Sequence, residues 1–163
     1  MTLDDEILAA AEAALAACRA RRWRVATAES CTGGLIAGAL TALHGSSDVV
    51  LGGIVAYANA IKTALLGVNA AVIEARGAVS AEVAAAMADG ARRALRADVA
   101  VAVTGVAGPG GGSAEKPVGL VWFGLATPTG VISEHRMFAG DRTAVRRTTV
   151  LHALALIANL ART

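Results

Sequence analysis

The sequence predicts an α/β fold, a three-layer α/β/α sandwich around a mixed, mostly parallel sheet of about five strands. First, short apolar runs alternate along the chain with longer stretches in which apolar residues recur at helical spacing. Second, Pro128-Thr129-Gly130 separates the last two apolar runs and predicts a C-terminal antiparallel hairpin. Third, 55% of the 163 residues are hydrophobic but only 3% are aromatic, which indicates a tightly packed core of small side chains. A single domain over residues 1–163 accounts for this length.

The N-terminal segment predicts a helix over residues 3–21. Thr2 is its predicted cap, and acidic residues occupy the first turn, where the helix dipole favours them. Its core stripe recurs at helical spacing and consists of Leu3, Ile7, Ala11, Leu15 and Cys18. Cys18 is therefore assigned to packing and not to chemistry.

Strands and helices alternate through the rest of the chain. The predicted strands are 25–28, the apolar run 49–58, 98–103, 118–126 and 131–138. The predicted helices are 33–43, a short helix capped by Asn59 and ended by Gly67, Ser80 to Arg96, and Asp141 to about Ala161. Residues 69–77 are predicted to be irregular or a single helical turn. Gly52-Gly53, inside the second strand, indicates a bulge or the close passage of another backbone or a ligand.

The charge and cysteine content argue against several classes of function. The net charge of +2 is too small, and the basic residues are too scattered, to indicate binding to nucleic acid or to a membrane surface. Cys18 and Cys31 have neither disulfide-framework nor metal-site spacing, which favours a reducing cytoplasm and no metal site. Acidic residues 4–6 stand where a secretory signal carries positive charge, and no apolar run is long enough to span a bilayer.

The octet Thr-Ala-Glu-Ser-Cys-Thr-Gly-Gly, residues 27–34, is the stretch around which the chain is organised. Ser30 lies where a strand ends and a helix begins, so its hydroxyl is expected beside backbone N–H groups of the first helical turn. An exposed hydroxyl, fixed donors and nearby glycines are the parts needed for attack on an acyl carbon. The residues expected to hold an oxyanion or the substrate here are Cys31, Thr32, Gly33 and Gly34. For this octet alone, a Ser/Thr helix cap with a glycine entry is the favoured alternative.

A second stretch, Tyr57-Ala-Asn-Ala-Ile-Lys62, favours a nucleophile over a helix cap at Ser30. Of the 15 basic residues 13 are arginine, so the lysine at this strand end is unusual for the chain. A guanidinium cannot lose its proton near neutral pH, whereas a desolvated amine can, and it can then activate a serine. Tyr57 is the single tyrosine, and its phenol can relay a proton or orient the amine. Taken alone, Lys62 can also be interpreted as a surface residue of a helix, and Tyr57 as an ordinary core residue.

A glycine-rich loop follows the predicted strand 98–103, at the position where open α/β sheets bind ligands. It has neither the Walker pattern nor Gly-x-Gly-x-x-Gly, so a dinucleotide or triphosphate site is not supported. Its backbone N–H groups can cradle one phosphate or shape an oxyanion site, although a flexible surface loop fits the composition equally. The candidate binding residues in this loop are Thr104, Gly105, Gly110 and Gly111.

Arg142 and Arg146 stand one turn apart at the start of the last predicted helix, where the dipole disfavours cations. An anionic partner offsets that cost, and Arg142 is the candidate contact for a phosphate group. Salt bridges to Asp141 or to a neighbouring subunit are the alternative.

The sequence resembles the CinA C-terminal domain family, also called nicotinamide-nucleotide amidohydrolases, in several motifs and in their order along the chain. Besides the octet and Tyr57-x-Asn-x-x-Lys62, they are Gly45-Ser-Ser47, Gly52-Gly53, Leu66-Gly-Val68, Gly77-Ala-Val-Ser80, Thr104-Gly-x-Ala-Gly-Pro-Gly-Gly-Gly112 and Lys116-Pro-Val-Gly119. The resemblance covers nearly the whole chain. Ala58 stands where the family more often has serine. In many members this domain follows a larger N-terminal domain, whose activity is not assigned to this sequence.

The resemblance implies deamidation of nicotinamide mononucleotide to nicotinate mononucleotide and ammonia. It implies Ser30 as nucleophile, Lys62 as general base and Tyr57 as its helper, with no metal or organic cofactor. The expected partners are a small nucleotide substrate and a second copy of the chain in a homodimer, with no nucleic acid and no membrane. Two alternatives are a nucleotide-binding sensor without turnover and an interaction module of competence or DNA-damage machinery, as the family's older name suggests.

Overall fold

The computed structural model describes residues 3–160, except for the side chain of Leu160. The helices are α1 (Asp5–Arg21), α2 (Leu35–Thr41), α3 (Asn59–Leu66), α4 (Ala70–Arg76), α5 (Ala81–Ala94) and α6 (Arg142–Leu160). The strands are β1 (Val25–Glu29), β2 (Val50–Val55), β3 (Val99–Gly105), β4 (Leu120–Thr127) and β5 (Gly130–Met137). No helix within residues 3–160 is long and apolar enough to cross a membrane.

The described strands form one sheet in the order β2-β1-β3-β4-β5. Strand β1 pairs in parallel with β2 and with β3. Strand β4 is antiparallel to both β3 and β5, so four of the five strands point the same way. The structure confirms the predicted mixed, mostly parallel sheet and its C-terminal hairpin. The carboxyl ends of β1, β2 and β3 therefore meet at one edge of the sheet, where the candidate site lies.

Alternation along the two central strands builds a different core on each face of the sheet. The residues that face α1, α2 and α6 are larger and include Val25, Val99, Val101 and Val103. The residues that face α3, α4 and α5 are alanines: Ala26, Ala28, Ala100 and Ala102. Because methyl groups are short, the helices on the alanine face lie close to the sheet. A Cβ added at Gly124 of β4 would lie 2.0 Å from the carbonyl oxygen of Ala84 in α5.

Several predicted boundaries shift in the first half of the chain. Helix α1 is capped by Asp4, whose Oδ1 accepts a hydrogen bond from the N–H of Ile7 at 3.0 Å. The predicted cap Thr2 lies outside the described residues. Helix α2 starts two residues later than predicted, because Gly33 and Gly34 have φ angles of 62° and 97°, outside the helical region.

The bulge predicted at the paired glycines is confirmed. The β1–β2 register shifts there, since Val25 pairs with Val50 but Ala26 pairs with Gly52. Strand β2 itself is shorter than the apolar run that predicted it and ends at Val55.

The remaining predicted caps are confirmed with one exception. Gly67 ends α3 with φ 66°, and the Ser80 hydroxyl accepts from the N–H of Val83 to begin α5. Asp141 Oδ1 accepts from the N–H of Ala144 in the first turn of α6. Asn59 is instead the first residue of α3, with Ala58 at the cap position.

Helices α4 and α5 also differ in extent from the prediction. Residues 69–77, predicted as irregular or one turn, contain α4, which Asn69 caps through Oδ1. Helix α5 ends at Ala94, before Arg96, whose φ of 52° is left-handed. The predicted end of α6 near Ala161 lies outside the described residues.

We expect alanine substitutions at two helical glycines to change stability in opposite directions. A Cβ at Gly90 in α5 would lie 2.0 Å from the carbonyl oxygen of Leu66 in α3, whereas one at Gly38 in α2 would meet nothing within 4 Å. Gly38→Ala should raise the free energy of unfolding by about 0.5–1 kcal/mol, because alanine favours helix. Gly90→Ala should lower it by about 1–3 kcal/mol, because α3 must move. Urea unfolding measures both, and a Gly90→Ala protein as stable as Gly38→Ala would contradict the close α3–α5 contact.

Candidate active site

A cavity of about 220 Å³ opens at the carboxyl ends of β1 and β3. Its lining brings together many of the residues singled out from the sequence: Ser30, Cys31, Tyr57, Lys62, Thr104, Gly105 and Arg142. Asn59, Ala78, Val79 and Ala107 complete the lining. Ser30 and Lys62 are 32 positions apart in the chain, so the fold, and not local sequence, places them in one cavity.

Ser30 is the first residue after β1, and its N–H still donates to the carbonyl of Val103 in β3 at 3.0 Å. The alternation of β1 puts its side chain on the same face as Ala26 and Ala28, towards α3 and α5. The hydroxyl therefore leaves the sheet edge on the side from which Lys62 approaches.

Lys62 is among the largest fully buried side chains of the described residues, with 1% of its surface exposed. Its Nζ lies 3.1 Å from Ser30 Oγ, 2.9 Å from the carbonyl oxygen of Ala56 and 3.1 Å from that of Tyr57. The two carbonyls can only accept hydrogen bonds. They therefore take two N–H groups of the amine and leave its third tetrahedral direction facing Ser30.

Burial lowers the pKa of Lys62 below that of an ordinary lysine, because the charged form loses its hydration. A smaller opposing effect comes from Cys31. Within residues 3–160, no Asp or Glu forms a salt bridge with Lys62. The amine is thus shielded from water and held by neutral acceptors, which favours its neutral, basic form.

Glu29 is a buried carboxylate that sequence reasoning did not single out, and it is 1% exposed. Its Oε2 accepts from the Thr32 hydroxyl at 2.6 Å and from the N–H groups of Gly34 and Ile36 at 3.1 and 3.0 Å. Its Oε1 accepts from the N–H of Ala37 at 2.8 Å. The carboxylate of Glu29, on the strand before the turn, thus accepts hydrogen bonds from N–H groups at the N-terminus of α2.

Glu29 also decides which of the predicted oxyanion donors are free. The N–H of Gly34 donates to Glu29, and the N–H of Gly33 donates to the carbonyl of Ser30 at 3.1 Å. Among the described contacts, the N–H groups of Cys31 and Thr32 have no acceptor. The donors left for a substrate in this turn are therefore those of Cys31 and Thr32.

Arg146, on α6, holds the turn from the opposite face of the sheet. Its Nε donates to the carbonyl oxygen of Cys31 at 3.1 Å, and its Nη2 to that of Thr32 at 3.0 Å. In a planar trans peptide, a carbonyl and the next residue's N–H point in opposite directions. With the Cys31 carbonyl directed at α6, the N–H of Thr32 points away from α6, towards the side from which Lys62 approaches Ser30.

Tyr57 and Arg142 form the outer rim of the cavity. Tyr57 is 60% exposed, and its phenol oxygen accepts from Nη2 of Arg142 at 3.2 Å. Arg142 Nη1 donates to the carbonyl oxygen of Gly108 in the glycine-rich loop at 2.9 Å. The hydrogen bond from Lys62 reaches the backbone carbonyl of Tyr57, and not its phenol.

The remaining predicted residues divide between the cavity and its surroundings. Thr104 and Gly105 lie in the lining, whereas Gly110 and Gly111 lie in the exposed part of the glycine-rich loop and outside it. Burial raises the pKa of the Cys31 thiol to about 12, so this cysteine remains protonated and unreactive at neutral pH. Within the described part of the chain, no three His, Cys, Asp or Glu side chains are grouped to hold a metal ion.

The chain is similar to proteins of one family along nearly its whole length. The family model described as CinA C-terminal domain matches residues 8–161. A protein of Enterobacter agglomerans named nicotinamide-nucleotide amidohydrolase PncC is 53% identical over 140 residues, covering 85% of this chain and 85% of the relative. A CinA-like protein of Synechococcus sp. (strain RCC307) is 54% identical over 157 residues, covering 94% of this chain but 37% of the relative.

Solved structures agree with the sequence relatives. The crystal structure of competence/damage inducible protein CihA from Agrobacterium tumefaciens has a TM-score of 0.93 and 47% sequence identity, covering 98% of this chain and 99% of that one. The chain spans 34–37% of the length of the first CinA-like and competence-damage relatives that it matches, so those are longer proteins.

We expect Glu29→Gln to destabilise the protein. The amide replaces one acceptor oxygen with an N–H donor that faces the donors at the start of α2, which costs about 1–3 kcal/mol. Urea unfolding measures this cost. Glu74→Gln, at an exposed carboxylate of α4, is the matched control and should leave stability within about 0.5 kcal/mol. Equal stability of the two variants would show that the carboxylate does not hold the turn.

Proposed function

Because the chain belongs to the CinA C-terminal domain family, we propose that it hydrolyses the carboxamide of nicotinamide mononucleotide to nicotinate mononucleotide and ammonia. The observation that carries this proposal is the buried amine of Lys62, hydrogen-bonded to two carbonyls and to the Ser30 hydroxyl. The name of the relative that is 53% identical supports the substrate.

The first step is acyl transfer to Ser30. The neutral amine of Lys62 accepts the proton of the Ser30 hydroxyl while Oγ bonds to the carboxamide carbon, and the carbonyl electron pair moves to its oxygen. The N–H groups of Cys31 and Thr32 are the donors proposed to hold that oxyanion, and Arg146 keeps the Thr32 peptide in its orientation.

The second half of the cycle returns the proton. Protonated Lys62 donates to the amide nitrogen as the carbon–nitrogen bond breaks, and ammonia leaves an ester on Ser30. Water then attacks the ester carbon, gives one proton to Lys62, and the acid is released as Ser30 Oγ regains that proton. Lys62 thus serves as base and acid in turn, and Tyr57 assists through its carbonyl, which holds the amine.

The size of the cavity indicates which part of the nucleotide it holds. At about 220 Å³ it falls below the 300–1,000 Å³ typical of whole small-molecule sites, so it suits the carboxamide-bearing ring. A second cavity of about 470 Å³ adjoins it and shares Ala107 and Arg142. We place the ribose phosphate there. Two of the five guanidinium N–H groups of Arg142 bind protein acceptors, which leaves donors for the phosphate.

The decisive experiment is an ammonia-release assay with nicotinamide mononucleotide. Ser30→Ala should lower kcat by at least about 10³-fold, because no other group takes over the nucleophile's role. Ser47→Ala, at an exposed serine outside the cavity, is the matched control and should keep full activity. Nucleotide binding by the wild type without ammonia release would instead support a non-catalytic binding protein.

The pH dependence tests the role of Lys62 separately. Because the amine must be neutral to accept a proton and its pKa is lowered by burial, wild-type kcat/KM should rise with pH and level off below pH 10.5. Lys62→Arg should lose about 10²–10⁴-fold in kcat and lack this inflection, because guanidinium stays protonated. Lys116→Arg, at the other lysine, should retain the wild-type profile. Wild-type activity in Lys62→Arg would exclude the lysine as base.

A further inference from the structure

Thr104, the penultimate residue of β3, has a hydroxyl that already donates its hydrogen to another residue of the protein. Its Oγ1 lies 2.8 Å from the carbonyl oxygen of Ala78, and a carbonyl can only accept. The Thr104 hydroxyl is therefore the donor of this bond, with its hydrogen turned towards the segment between α4 and α5. Only its oxygen lone pairs remain for a ligand in the cavity.

Ser30 and Thr104 are neighbours across the two central strands. Glu29 pairs with Val103 in the parallel register, so the next residue on each strand, Ser30 and Thr104, also lie side by side. Adjacent strands are about 4.8 Å apart. By alternation both side chains point to the alanine face, and both line the same cavity. A carboxamide carbon within bonding reach of Ser30 therefore brings its substituents within reach of Thr104.

The two polar atoms of a primary carboxamide have opposite hydrogen-bonding character. The nitrogen carries two N–H donors, whereas the oxygen is an acceptor. The free backbone N–H groups of Cys31, in the lining, and of Thr32, in the adjoining turn, suit the oxygen, and the Thr104 oxygen suits the N–H groups. Asn59 also lies in the lining, but it is exposed and carries both a donor and an acceptor, so it cannot discriminate.

We propose that Thr104 is the residue that recognises the NH2 group of the substrate carboxamide and disfavours the carboxylate of the product. This inference rests on the proposed amidohydrolase function. A carboxylate oxygen placed against Thr104 meets lone pairs and no hydrogen, because the hydroxyl proton is held by Ala78. The substrate is thus bound in one orientation, with its leaving nitrogen beside Thr104, and the acid formed after hydrolysis is released more readily.

The test compares the affinities of nicotinamide mononucleotide and nicotinate mononucleotide by calorimetry in a Ser30→Ala protein, which does not consume the amide. With Thr104 present, the amide should bind more tightly than the acid. Adding Thr104→Val should weaken amide binding by about tenfold, since one buried acceptor is lost, while acid binding stays equal or becomes tighter. Thr104→Ser retains the hydroxyl and should restore the preference for the amide.

A purely structural role predicts a different result. If Thr104 only ties β3 to Ala78, Thr104→Val should weaken both ligands equally and leave their ratio unchanged, which would overturn the proposal. Thr104→Ala, which cannot overpack, provides the same comparison if the valine variant does not fold. Ammonia release by the wild type is measured alongside. If the wild type releases ammonia but the ratio of the two affinities is unchanged by Thr104→Val, only the proposed role of Thr104 is refuted. If the wild type releases no ammonia and binds neither nucleotide, the proposed function and this inference are both refuted.

Discussion

The buried amine of Lys62 is the constraint on which the rest of the site depends. An ammonium ion is costly to bury without a charged partner, and none is provided among the described residues. Ala56 and Tyr57 supply carbonyls instead, because they follow the last residue of β2 and their oxygens are not used by a neighbouring strand. Two neutral acceptors and a serine hydroxyl match the bonding directions of a neutral amine. The arrangement that satisfies this buried nitrogen therefore also suits the role of base that we propose for it.

The small side chains on one face of the sheet are what allow this burial. Alanines on β1 and β3 let α5 lie close to the strands, and Gly90 lets α3 lie close to α5. Lys62 projects from α3 across this thin layer and reaches the sheet edge at Ser30. A face built from valines would push α3 outward by the thickness of the larger side chains. The alanine-rich composition is thus tied to the position of the amine, and not only to general packing.

Much of the fold and part of the site could be predicted from the sequence, for identifiable reasons. The alternation of apolar runs and helical stretches predicted the mixed sheet, and the rarity of lysine identified Lys62 beside the strand end where the structure places it. The role of Glu29 was not predictable, because its oxygens accept from backbone N–H groups five to eight residues later in the chain. These N–H groups are brought within reach by a turn whose shape depends on the left-handed Gly33 and Gly34. Capping rules relate residues only two or three positions apart.

Alternation along β1 explains how one short strand end holds a carboxylate and a candidate nucleophile without interference. Glu29 and Ser30 are consecutive, so their side chains leave opposite faces of the sheet. The carboxylate turns towards α2 and is satisfied by four donors there, whereas the hydroxyl turns towards α3 and Lys62. A carboxylate on the Lys62 side would pair with the amine and hold it protonated. The period of two in a β-strand therefore separates the charge that orders the turn from the amine that we propose as the base.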